Sequence, residues 1–373
     1  MLRGMPTTRV DLGDRSYDVL VEKGLLSQAG HAIQQAGVRG RAAVISDATV
    51  ARHHGEKLIA SLEAAGFSPS LHEVPSGEAS KSMSHVEELC AAMAEAKHDR
   101  RSFVVALGGG VVGDLAGFVA SVFYRGIPFV QIPTTIVAQV DSSVGGKTGV
   151  NLPQGKNLLG AFHQPALVVV DPEVLSTLPD REYREGYAEV IKHAAIRDAS
   201  MIADIAALDP STREVPAELI ARNIAIKARI VEVDEHETKG IRALLNLGHT
   251  IGHGIEAAVP YGSMLHGEAI SLGLRAALYL SEKRSGLSKA DSASILGLLQ
   301  HFGLPLVLED KITTAQILHK LGRDKKFEAG RIRFVLLRKA GDAFVSDAVT
   351  QEDLEEAIEH LRTEIQGETP QKK

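Results

Sequence analysis

The first half of the chain alternates short aliphatic runs with stretches of helical periodicity. YDVLVEKG (17–24), RAAVISD (41–47), SFVVALGGG (102–110), FVQIPTT (129–135) and ALVVVD (166–171) predict strands. Between them, LLSQAGHAIQQAG and ARHHGEKLIASLEAAG carry apolar residues at helical spacing. The runs 103–107 and 166–170 are wholly apolar, as strands buried on both faces are. This alternation predicts a parallel sheet with helices packed on it. After Pro172 the pattern turns mostly helical, from EYREGYAEVIKHAAI to LEEAIEHLRTEI, with RIRFVLLRKAG predicting a hairpin or edge strand. The two prolines of DPEVLSTLP mark the change. The predicted fold is α/β, with an N-terminal Rossmann-like parallel-sheet domain over 1–172 and a mostly α-helical domain over 173–373. The active site is expected in the cleft between the two.

Composition narrows the partners. The chain of 373 residues has 41 Lys and Arg against 47 Asp and Glu, a net charge of −6, so bulk attraction to nucleic acid or an anionic membrane is not expected. An anionic ligand therefore needs a local cationic site. Cys90 is the sole cysteine, which precludes an intrachain disulfide and fits a reducing compartment. No apolar run reaches the length of a bilayer span, and MLRGMPTTRVDLGDRSY lacks an apolar signal segment. A cytoplasmic protein is expected.

Three stretches carry candidate chemistry. In SFVVALGGGVVGDLAGF a buried strand runs through glycines into a helix, and Gly108, Gly110 and Gly113 fit the G-x-G-x-x-G spacing for a pyrophosphate on a helix N-terminus. The acid usually found about 20 residues later is absent; Asp47 stands earlier, at the end of AAVISD, which suits a dinucleotide site with a different strand order. PSGEASK (75–81) is a second polar loop that could face the same cofactor, through Glu78 and Lys81. The stretch 139–165 has little helical or strand periodicity and predicts a long functional loop. With Asp141, Lys147, Lys156, Asn157 and the preceding Arg125, it suits an oxyanion ligand. Lastly, HTIGH puts His249 and His253 on one helix face, while Thr250 replaces the glutamate of the H-E-x-x-H zinc helix. His266 in LHGEA and a carboxylate such as Glu189, alone among apolar neighbours in GYAEVIKHA, would complete a three-ligand metal site. Spacing leaves the choice between His249 and His253 open, and His193 competes with Glu189. Histidines in ARHHGE and EAKHD are expected at the surface.

Taken together, GGGVVGDLAGF, RGIPFVQIPTTIVAQVDSSVGGKTGVN, GKNLLGAFHQP, GYAEVIKHA, RALLNLGHTIGHGIEA, LHGEA and RDKKF resemble, in order, the blocks of the 3-dehydroquinate synthase family. The resemblance implies a metal site of Glu189, His249 and His266, holding zinc or alternatively cobalt, with His253 contacting substrate. It implies NAD along Asp47, Glu78, Lys81, Gly110, Val111, Val112, Gly113, Asp114, Thr134, Thr135, Lys147, Lys156 and the segment Leu175, Ser176, Thr177, Leu178. Substrate residues implied are Arg125, Asp141, Lys147, Lys156, Asn157, Lys192, Lys227, Arg242, Asn246, His253 and one of Lys325 or Lys326. The implied reaction is a phosphate-eliminating lyase step of the shikimate pathway. It converts 3-deoxy-D-arabino-heptulosonate 7-phosphate to 3-dehydroquinate by transient oxidation, elimination, re-reduction and aldol closure. The expected partners are this small phosphorylated sugar acid and a second copy of the chain, in a homodimer. Two departures stand out. Ser76 occupies a position that is Asp in the family loop, and DEHETKGIR (234–242) is one residue longer than the family spacing, which bears on Glu237.

Overall fold

The computed structural model describes residues 7–260, 262–321 and 332–364. Two compact units emerge: 1–179 with 213–236, and 180–212 with 237–373.

The first unit is built on a seven-stranded sheet. Its strands are β1 (Thr7–Val10), β2 (Tyr17–Val21), β3 (Ala42–Asp47), β4 (Pro69–Val74), β5 (Phe103–Gly108), β6 (Phe129–Pro133) and β9 (Leu167–Val170), in the order β1-β2-β9-β6-β5-β3-β4. All neighbours are parallel except β1 and β2. Side chains alternate between faces. Val44, Phe103, Val105, Leu107, Val130 and Ile132 pack on one side with Leu26, Ile33, Leu58 and Leu62. Ala43, Ile45, Val104, Ala106 and Phe129 pack on the other with Leu89, Met93, Leu115 and Val119. The five strands read from the apolar runs are all present. The half-exposed β1 and β4 escaped that reading, because PSLHEV alternates weakly and carries Pro, His and Glu.

The stretch expected to be a loop is partly a hairpin. β7 (Lys147–Leu152) pairs antiparallel with β8 (Gly155–Phe162). Its glycines and the mostly exposed face of β8 hid the alternation. Two histidines expected at the surface are buried instead. His54 bonds Thr177 Oγ1 through Nε2 at 2.8 Å, and His98 Nε2 lies 2.6 Å from Ser70 Oγ, which also meets His72 Nε2 at 2.8 Å. Burial, with lesser contributions from His72 and Arg41, pushes His98 down to about 4, against Asp99. The unfolded chain therefore takes up a proton at His98 below about pH 6.5 that the folded chain refuses until about pH 4. Stability from this group is intact above that window and falls by up to about 3 kcal/mol as pH drops through it. In His98→Gln the loss of urea midpoint between pH 7 and pH 4.5 should shrink; an unchanged loss would show that His98 does not titrate in this way.

The second unit is mostly helical: Asp180–Arg197, Met201–Ala206, His249–Ala258, His266–Ser285, Lys289–His301, Thr314–Leu321 and Gln351–His360. A hairpin of β10 (Ile332–Lys339) and β11 (Asp342–Val349) completes it, as RIRFVLLRKAG predicted. The Asp180–Arg197 helix is buried all round from Gly186 to Ile196, which places Glu189, Lys192 and His193 in the interior. Among the described residues no helix is long and apolar enough to cross a membrane.

Candidate functional site

In the second unit three chain segments bring Glu189, His249 and His266 together. His249 opens the His249–Ala258 helix, and His266 opens the next. The start of that second helix is fixed from several sides. The Glu268 carboxylate accepts from Leu265 N at 2.8 Å and is held by Arg181 Nε and Nη2 at 2.7 and 2.6 Å. Gly267 N donates to Glu185 Oε2 at 2.5 Å. A Cβ at Gly267 would stand 1.9 Å from Glu185 O, so only glycine lets His266 come this near the Glu189 helix.

His249 Nε2 lies 3.2 Å and His266 Nε2 3.3 Å from Glu189 Oε1. Donors about 2.0–2.2 Å from one tetrahedral ion stand roughly 3.3–3.5 Å apart, so these separations suit a shared divalent cation. The outer nitrogens are committed: His249 Nδ1 lies 3.1 Å from Leu247 O, and His266 Nδ1 lies 3.4 Å from Glu256 Oε2. Such partners set the tautomer and aim each Nε2 lone pair inward. Electrostatics agree. Burial alone would raise the Glu189 carboxyl, but the Lys192 ammonium on Oε2 and the two histidines outweigh it and hold it well below the usual carboxylate range. Burial lowers His249 despite Glu189. His266, half-buried, is pushed up to about 10, its hydrogen bonds to Glu189 and Glu256 outweighing the loss of solvation. A site that holds a proton this firmly favours positive charge, and a divalent ion competes for the same place. Burial pushes Glu185 up to about 7.

His253, Glu256 and His266 form an overlapping candidate group. His266 can give an ion one nitrogen only, and its Nε2 faces Glu189. His253 is exposed, with its ring 5.1 Å from that of His249. His193 is buried on the same helix as Glu189 and belongs with it to a further candidate group, outside the trio. Glu185 and Glu256 were not singled out from sequence. Glu256, at i+7 from His249 on the helix face shared with His253, carried a readable signal. In the same unit Arg242 is buried, with Nε 3.7 Å from Glu237 Oε1. Glu237 takes a left-handed φ of 59°, where the sequence is one residue longer. Asn246 ends the turn Arg242–Asn246. Lys325 and Lys326 lie outside the described residues.

In the first unit the parallel strands run β4-β3-β5-β6-β9, and the order reverses between β3 and β5. Ligands of open α/β sheets bind at such a switch point, beyond the carboxyl ends of the strands. Ser46 pairs with Leu107, so Asp47 stands level with Gly108. This order explains why the acid precedes the glycine loop. The Gly110–Val122 helix starts there, and no side chain caps its N-terminus at Gly109, so its first amides suit a pyrophosphate. A Cβ at Gly113 would stand 2.7 Å from Gln131 Oε1, so that glycine serves helix–sheet packing. Asp47 Oδ1 accepts from Thr49 N, Val50 N and Ser76 Oγ at 2.9, 3.2 and 2.6 Å, so the residue that departs from the family serves the acid at the strand end.

Around this strand end, Lys81 is buried, paired with Asp114, and donates to Asn157 Oδ1 at 2.5 Å. Burial pushes the Asp114 carboxyl up against the pull of Lys81. Lys156 Nζ lies 4.0 Å from Glu78 Oε1. Lys227 Nζ lies 3.0 Å from Asp141 Oδ1 and donates to Asp141 O at 2.5 Å. Lys147 begins β7, and Thr134 and Thr135 follow β6, Thr134 buried. Leu175 and Leu178 are buried while Ser176 and Thr177 are exposed. Arg125 lies on an exposed turn with φ of 70°.

The chain matches 3-dehydroquinate synthase N-terminal over residues 71–185 and 3-dehydroquinate synthase C-terminal over 186–327. It is 44% identical to the 3-dehydroquinate synthase of Pelobacter propionicus over 93% of this chain and 98% of that one. With the 3-dehydroquinate synthase of Caulobacter vibrioides it shares 45% identity over 94% and 96%. Among solved structures, it is similar to 2-epi-5-epi-valiolone synthase from Streptomyces hygroscopicus with NAD+ and Zn2+ bound (TM-score 0.84, 32% identity, 94% and 98% covered). It is also similar to 2-deoxy-scyllo-inosose synthase complexed with carbaglucose-6-phosphate, NAD+ and Co2+ (TM-score 0.83, 25% identity, 95% and 99% covered). An iron-containing alcohol dehydrogenase shares the fold alone (TM-score 0.64, 17% identity, 93% and 97% covered). With two domain matches in tandem and relatives alike over nearly their whole length, the chain belongs to the 3-dehydroquinate synthase family.

Proposed function

We propose that this chain converts 3-deoxy-D-arabino-heptulosonate 7-phosphate to 3-dehydroquinate and inorganic phosphate. The route runs through transient oxidation at C5, loss of phosphate, re-reduction and intramolecular aldol closure. The observation that carries the reading is the trio of buried Glu189, buried His249 and half-buried His266, spaced as ligands of one divalent ion. When bound, zinc or cobalt would polarise the substrate's C4 and C5 hydroxyls while NAD would hold the C5 hydride until its return.

The residues divide the remaining work. Asp47, Glu78, Lys81, Gly110 to Asp114, Thr134, Thr135, Lys147, Lys156 and Leu175 to Leu178 hold the dinucleotide. Arg125, Asp141, Lys147, Lys156, Asn157, Lys192, Lys227, Arg242, Asn246 and Lys325 or Lys326 bind the substrate. The cations among them suit a ligand with one carboxylate and one phosphate on a chain of net charge −6. Lysines beside the leaving phosphate favour its developing charge. Lys192 orients the Glu189 carboxylate, and His253 relays a proton of a hydroxyl held beside the trio. Relatives at 40–45% identity carry the dehydroquinate name, against 32% and 25% for the valiolone and inosose cyclases, which favours this substrate.

The protein is proposed to work in the cytoplasm as a homodimer. Val122, Tyr124, Leu158 and Phe162 expose apolar surface on the first unit that a second copy could cover. The test supplies the heptulosonate phosphate with catalytic NAD and zinc. Phosphate release without net NADH is expected. Net NADH from a simple alcohol, without phosphate release, would instead mark a dehydrogenase.

A further inference from the structure

One side chain with no part in the roles above joins two of the proposed site's segments. Asn151, at the register shift of β7, donates Nδ2 to Glu78 Oε1 at 2.7 Å. Its Oδ1 accepts the backbone N–H of Asn157 at 2.9 Å, and its own N–H donates to Lys81 O at 2.9 Å. Asn157 in turn receives Lys81 Nζ on Oδ1 at 2.5 Å. The result is a closed circuit of Glu78, Asn151, Asn157 and Lys81. Asn157 sits at φ 56°, a left-handed conformation that a non-glycine residue holds when its surroundings fix it. Asn151 fixes its main chain, and Lys81 decides which end of its carboxamide faces outward.

We propose that Asn151 is a positioning residue that couples the cofactor-side pair Glu78 and Lys81 to the substrate-side Asn157, so that NAD and the phosphorylated substrate bind cooperatively. The inference rests on the cofactor and substrate roles proposed above. A carboxamide is required because it alone donates to a carboxylate at one end and accepts from an amide at the other.

Two variants separate the ends. Asn151→Asp keeps the acceptor for Asn157 but sets a like charge against Glu78; the KM for NAD should rise about tenfold with little change in kcat. Asn151→Ala loses both ends, and kcat should also fall by up to about 10²-fold as Asn157 drifts. In the double variant Glu78→Gln/Asn151→Asp the pair is reversed, and a carboxamide again donates to a carboxylate. Because Glu78 itself serves NAD, the comparison is with Glu78→Gln alone: adding Asn151→Asp to it should cost no further NAD affinity, a rescue that a merely structural role would not give. NADH fluorescence titrations with and without the heptulosonate phosphate read the coupling directly, as a tightening that the wild type shows and Asn151→Ala loses, even if the wild type releases no phosphate, which keeps this inference separate from the proposed reaction. NAD affinity within twofold of wild type in both Asn151 variants, or a further tenfold loss when Asn151→Asp is added to Glu78→Gln, overturns the proposal.

Discussion

Glu189→Ala should leave a folded chain with less than about a tenth of the wild-type zinc and at least ~10³-fold less phosphate release, a loss of about 4 kcal/mol in the barrier. The carboxylate is fully buried, and each histidine of the trio faces its Oε1, at 3.2 and 3.3 Å. Its removal also deprives the buried Lys192 ammonium of a partner, and breaking a buried pair costs about 3–5 kcal/mol. Metal loss and destabilisation therefore arrive together and must be separated. Glu189→Gln keeps the volume and one oxygen but not the charge; it should melt closer to the wild type while binding zinc far more weakly. Metal content per chain, read alongside the melting temperature, decides the matter. Stoichiometric zinc in a folded Glu189→Ala chain would remove Glu189 from the site.

Much of the first unit was legible because strands covered on both faces must be apolar at every position, and 103–107 and 166–170 are. The edge strand β4 and the 147–162 hairpin were not, since strands with one open face carry a weaker signal. The helix Ala217–Val233 shows a related limit. Its sequence is that of any amphipathic helix, yet its apolar face packs on β1 and β2, and 213–236 belongs with the first unit. Periodicity reports that a helix has an apolar side, not which partner covers it. The strand-to-helix turn at the sheet's switch point was legible in its glycines. The position of its acid became intelligible only with the strand order, because a reversal between β3 and β5 places an earlier residue beside the loop.

The candidate metal site shows the same division. A lone glutamate in an otherwise apolar helix could be read from sequence as a group that needs a partner. The choice between His249 and His253 could not, because both lie on one helix face and differ only in what stands opposite. Geometry separates them: His249 is buried against Glu189, whereas His253 is exposed, and His266 turns its Nε2 toward Glu189 and its Nδ1 toward Glu256. His253→Ala should therefore keep its zinc, its NAD affinity and its melting temperature while kcat falls by about 10²–10⁴-fold, the usual contribution of a positioned proton-transfer group. His249→Ala should lose metal and turnover together. His253→Gln, which hydrogen-bonds but cannot relay a proton, should resemble the alanine variant in kcat and the wild type in KM. Zinc content of the purified variants separates the two ligand sets without any activity measurement. Metal lost from His253→Ala and retained in His249→Ala would move the ion to the His253, Glu256 and His266 group, and Glu189 would then serve Lys192 rather than the ion.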